Sequence, residues 1–84
     1  MIKEHDRIVL TEAVPSVGLE AGDVGTVVHL YRDGNAYEVE FTTLEGNTAA
    51  VVTVEASQVR EVSKGEITHA RAAAIREKPA QYGR

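Results

Sequence analysis

The groups that could do chemistry in this sequence are few and scattered. Its histidines are His5, His29 and His69. No two of them stand at i, i+4 and none lies beside a second strong ligand, so the spacing a metal centre needs on one element is missing. There is no cysteine, and therefore no thiolate for metal binding or nucleophilic attack and no disulfide. No serine occupies a nucleophile elbow, and no Gly-x-x-x-x-Gly-Lys loop is present to cradle a phosphate. Carboxylates are abundant, and Glu38 and Glu40 stand one residue apart. They alternate with Tyr37, Val39 and Phe41, however, which on a strand of period two turns both toward water, where a carboxylate is a weak general base. The residue types describe a binding surface, and the chain reads as non-catalytic, with no cofactor and no metal.

The elements that must position these side chains are strands. Apolar residues alternate with polar ones through the first sixty positions, with Gly, Asp and Asn at short intervals, as in a small β-sandwich or barrel. Arg7 to Leu10 predicts a first strand with Ile8 and Leu10 on one face. Pro15, Gly18 and Gly22 make Thr11 to Asp23 a long loop. Val24 to Tyr31 predicts a second strand, with Val24, Thr26, Val28 and Leu30 on one face and Val27, His29 and Tyr31 on the other. Arg32-Asp33-Gly34-Asn35 is a hairpin turn, because Asp-Gly readily supplies positive φ. The strand after it buries Tyr37, Val39 and Phe41. Glu45-Gly46-Asn47 turns the chain again, Ala49 to Val54 returns as a mostly buried, uncharged strand, and Val59 and Val62 belong to a last short one. The fold class is thus mostly β: one small barrel of about five strands over residues 1–62.

From Ser63 the pattern changes. Ser63-Lys64-Gly65-Glu66 has the spacing of a capping box, in which a cap hydroxyl and a third-position carboxylate each satisfy a free backbone N–H. It predicts a short C-terminal α-helix from about Gly65 to Arg76 within a helical tail over residues 63–84, with Ile67, Ala70, Ala74 and Ile75 on a narrow apolar stripe and Arg71 at its margin. So short a helix needs a docking surface, supplied by its own barrel or by a partner.

The chain has 84 residues and a net charge of -4, unevenly placed. Residues 1–59 carry three cations against ten carboxylates, or -7; residues 60–84 carry six against three, or +3. An acidic body lacks the cations that displace counterions from a phosphate backbone, so nucleic acid is a poor match for it. The sequence predicts a cytoplasmic domain without a membrane segment, since its longest apolar run falls far short of the ~20 residues needed to cross a bilayer.

The blocks Asp6 to Leu10, Gly18-Leu19-Glu20-Ala21-Gly22-Asp23-Val24-Gly25-Thr26-Val27-Val28, Tyr37 to Phe41, Val52 to Val54 and Gln58 to Val62 resemble a bacterial family of short SH3-like barrel proteins of unknown function. The resemblance implies an SH3-like barrel and a protein-binding role of the kind found in toxin–antitoxin or immunity pairs. The Gly22 to Val27 block also resembles the loop-strand element of KOW domains, which implies RNA or ribosome binding as the alternative. KOW domains surround those glycines with basic residues, whereas this loop offers Glu20 and Asp23. The reading favours a protein partner, compatible with a homo-oligomer, and the candidate contact residues are Glu20, Asp23, Tyr31, Glu38, Glu40, Ile67, Arg71 and Ile75.

Overall fold

The computed structural model describes residues 1–73, and these form one five-stranded antiparallel sheet. Its strands are β1 (Arg7–Leu10), β2 (Val24–Leu30), β3 (Ala36–Thr42), β4 (Thr48–Glu55) and β5 (Val59–Glu61). In space they run β4-β3-β2-β1-β5, so β1 lies between β2 and β5 while β4 and β5 are the edges. Single 3-10 turns at Pro15–Val17 and Ala56–Gln58 break the two connections around β1 and β5.

The inward face follows from β3, where Tyr37, Val39 and Phe41 are buried and the residues between them are partly covered. They pack with Ile8, Leu10, Leu19, Val27, Val54 and Val59 in one core. Gly25 lies beside β3, and the Val39 and Phe41 side chains of that strand cover it. A Cβ built on Gly25 would stand 2.5 Å from Val39 Cγ1 and 2.8 Å from the Phe41 ring, so these two side chains lie over β2 only because Gly25 has none of its own.

Three expectations are corrected. The buried face of β2 is Gly25 and Val27, with Val24 and Val28 exposed. A bulge between Val27 and His29 shifts the register against β3 and carries Leu30 back to the core side, so Leu30 does not share a face with Val24 and Val28, nor His29 with Val27. Ala49 to Val54 is an edge strand and only Val54 in it is fully buried; Val51 is 51% exposed. The C-terminal helix is absent over residues 65–73, and its remaining predicted positions, with Ile75, lie outside the described residues.

The reason lies in the capping box itself. Glu66 does reach back, accepting a 2.6 Å hydrogen bond from the Ser63 N–H. Gly65, however, takes φ +88°, a left-handed angle that closes a turn and cannot propagate a right-handed helix. Arg60 then grips the Glu66 carboxylate through both terminal guanidinium nitrogens, at 3.0 and 2.7 Å. The motif makes a turn clamped to β5.

Replacing Gly25 with alanine forces a methyl group into Val39 and Phe41. The expected cost is about 1 to 3 kcal/mol of overpacking, read as a lower midpoint in chemical denaturation; an unchanged midpoint would contradict the packing described.

Candidate functional site

The candidate residues fall into two groups that the strands keep apart. The first is on the outer face of the sheet. Glu38 pairs across β2 with His29 and across β4 with Thr53, and Glu40 pairs with Thr26 and Val51. Residues directly opposite in an antiparallel ladder share a face, so these side chains form two adjoining cross-strand rows. Glu38 Oε1 accepts hydrogen bonds from the Tyr31 hydroxyl at 3.0 Å and the Thr53 hydroxyl at 2.9 Å, and Glu40 Oε2 accepts one from the Thr48 hydroxyl at 2.6 Å. The Tyr31 ring is 39% exposed and meets His29 edge-on at 4.8 Å. Two carboxylates are thus held in place by three hydroxyls beside an accessible aromatic ring.

The second group is in the loop between β1 and β2. Asp23 begins it, accepting the Glu20 N–H at 2.8 Å and so closing a tight turn at Gly22. Arg71 arrives from the tail. Its Nε donates to Asp23 Oδ1 at 2.9 Å, one terminal nitrogen donates to Asp23 Oδ2 and, at 3.3 Å, to the Gly18 carbonyl, and Glu20 lies 3.6 Å from Nε. The Asp23 and Arg71 side chains are only 18% and 25% exposed. Burial alone would push the Asp23 carboxyl up. The hydrogen bonds from Arg71 and from the Glu20 N–H, with the guanidinium charge, outweigh it and hold this carboxyl below its ordinary value. At the other tie, the Arg60 guanidinium and the Ser63 N–H hold Glu66 down to about 2.

Of the candidate contact residues, the fold unites Glu20, Asp23 and Arg71. It also unites Tyr31 with Glu38, and puts Glu40 beside them. Ile67 joins neither group and is 91% exposed. Sequence reasoning missed Thr48, Thr53 and Gly18, which only register and chain tracing bring to the carboxylates. Among the described residues no three His, Asp or Glu side chains come together in a way that could hold a metal ion, and no helix is long and apolar enough to cross a membrane.

A family model described as a domain of unknown function, DUF4926, matches residues 4–61. That stretch contains all five strands. The chain belongs to the DUF4926 family. No curated protein and no solved structure matches it. The DUF4926 match includes Glu20, Asp23, Tyr31, Glu38 and Glu40 and stops at the end of β5, so Arg71 reaches the DUF4926 domain from outside the matched stretch.

Both ties of the tail involve carboxyls with lowered pKa, so their contributions are complete above the ordinary values of 3.8 and 4.5 and fade as pH falls through the folded values. Carboxyl titration by NMR is expected to give a Glu66 midpoint near 2, returning toward 4.5 in Arg60→Gln. In Arg71→Gln, the Asp23 midpoint is expected to rise and amide exchange at Gly18 to Asp23 to accelerate roughly tenfold. Unchanged exchange and titration would remove the Arg71 tie.

Proposed function

We propose that this chain is a non-catalytic protein-interaction module built on an SH3-like barrel, an antitoxin- or immunity-type partner of a basic protein. Three features support the barrel reading. The first strand pairs with both the second and the last, the bulged β2 curves between two halves of the sheet, and one core fills the inner face.

The observation that carries the binding reading is the outer-face arrangement of Glu38 and Glu40, fixed by Tyr31, Thr53 and Thr48. Carboxylates whose geometry is set in advance lose little conformational freedom on meeting a cation. The adjacent tyrosine offers apolar area and a cation–π face. The loop carboxylates support the same chemistry, since Asp23 and Glu20 already hold a guanidinium, that of Arg71. With that loop engaged by the tail, the reading assigns the separate partner to the sheet face. Its negative potential would steer a basic surface toward it and repel phosphate backbones.

The test is to isolate the native complex, identify its basic component and measure association with the wild type and a Glu38→Gln, Glu40→Gln double variant. Both positions lie on the outer face, so the thermal midpoint is expected to stay within a few degrees. Affinity is expected to fall about tenfold, mostly through slower association and less at high salt. Unchanged affinity, or tight salt-dependent binding to RNA in place of a basic protein, would overturn the proposal.

A further inference from the structure

Val9 is buried in a place the core does not reach. It is 6% exposed, yet it stands outside the core cluster that holds its neighbours Ile8 and Leu10. Side chains alternate along a strand, so with Ile8 and Leu10 turned inward Val9 points out of the sheet. Its cross-strand partners on that face are Arg60 of β5 and Val24 of β2. Val24 is 44% exposed and the Arg60 side chain 43%. An apolar side chain shielded on an outer face between two such neighbours calls for a cover lying over the sheet.

The tail passes where that cover is needed. Arg60, the partner of Val9 on β5, holds Glu66, and Asp23, immediately before its partner Val24 on β2, holds Arg71. β1 lies between β5 and β2, so the chain from Glu66 to Arg71 runs from one side of β1 to the other. Strands two spacings apart stand about 10 Å from each other, and that length of chain can reach about 17 Å. Ile67 to Ala70, between the two ties, are exposed. Among the described residues, the one loop or turn backbone hydrogen bond made by residues 64–73 is the turn bond from the Glu66 N–H to the Ser63 carbonyl. The segment is thus held at its ends, by charged side chains, and not along its length.

We infer that residues 66–71 form a strap that closes over Val9 and opens, with the sheet still folded, when its two charge clasps are weakened. Ionic strength is the lever, because both clasps reach solvent and are open to screening. The clasps act on one short segment, so releasing either leaves the residues between them tethered at a single end. Opening the strap bares Val9 beside Val24 and makes the two a continuous apolar strip on the outer face. Val9 and Asp23 lie within the stretch matched by the family model and the strap lies outside it, so a segment beyond that stretch governs access to a residue within it. The inference uses neither Glu38 nor Glu40 and stands or falls separately from the partner proposed for them.

The chain has no cysteine, so a single introduced thiol reports access to its position. Val9→Cys keeps a small apolar side chain in place and is expected to react with a maleimide about tenfold more slowly than Val51→Cys, at a half-exposed position. Adding Glu66→Ala and Arg71→Ala removes both clasps and leaves every residue of the sheet unchanged. The Val9→Cys rate is then expected to rise about tenfold, while Ile8→Cys, in the core, stays slow in both backgrounds. In the unsubstituted protein, broadening of the Val9 methyl signals by a soluble gadolinium complex is expected to grow severalfold from low to molar salt, with Val39 unaffected, a readout that needs no variant. A thiol at position 9 as reactive as one at position 51, no acceleration on removing the clasps, equal acceleration at position 8, or broadening at Val9 independent of salt would each overturn the inference.

Discussion

Gly25 carries no side chain where Val39 and Phe41 press against β2, and most of the molecule's organisation depends on that contact. The close approach lets β2 and β3 share a thin core in a chain too small to build a thick one. With Tyr37, Val39 and Phe41 fixed inward, the alternation of the strand leaves Glu38 and Glu40 on the outer face. The charged surface is therefore a consequence of the packing beneath it. A one-residue slip of β3 would exchange the whole set, burying carboxylates and exposing two aromatic rings, which is why the register is so strongly specified.

The same dependence accounts for what was legible in the sequence. Where one face of a strand is buried, the residues report it directly, as in Ile8 and Leu10 of β1 or Tyr37, Val39 and Phe41 of β3. In β2 the alternation did not say which face was buried, and its grouping of residues failed past Val27. The run is β-branched on both sides of the chain, and the bulge after Val27 changes the phase at a point that no residue type announces. The edge strand β4 was misread for a related reason: lack of charge suggests burial, but here it reflects an edge whose neighbours cover only part of it.

The tail shows a local signal overruled by longer-range chemistry. Ser63-Lys64-Gly65-Glu66 contains the acceptor that a helix start needs, and that hydrogen bond forms. Two other residues decide its meaning. Gly65 adopts a left-handed angle, and Arg60, six positions before Glu66, takes the carboxylate. Helix propagation adds roughly one hydrogen bond for each residue fixed, so a short, thinly apolar segment gains little that an ion pair and an extended path cannot match. The Arg71 contact with Asp23 spans 48 positions, and no spacing rule reaches so far. Only the separation of charge, an acidic body and a basic tail, hinted that the two would meet.

That contact also ranks the acidic surfaces. Asp23 is mostly buried and is already compensated by the Arg71 guanidinium, which also donates to the Gly18 carbonyl, and by the backbone N–H of Glu20. Removing a compensated charge pair from its partner leaves a poorly solvated ion, so displacing Arg71 costs more than covering a solvated carboxylate. Glu38 and Glu40 are arranged differently. Among the described residues their partners are neutral hydroxyls, which orient the oxygens without cancelling their charge. Oriented, uncancelled carboxylates keep the long-range field that an arriving cation senses, and the hydroxyls can remain bonded when it arrives. The loop therefore secures the chain's own tail, whereas the sheet-face carboxylates are oriented by neutral groups alone among the described residues.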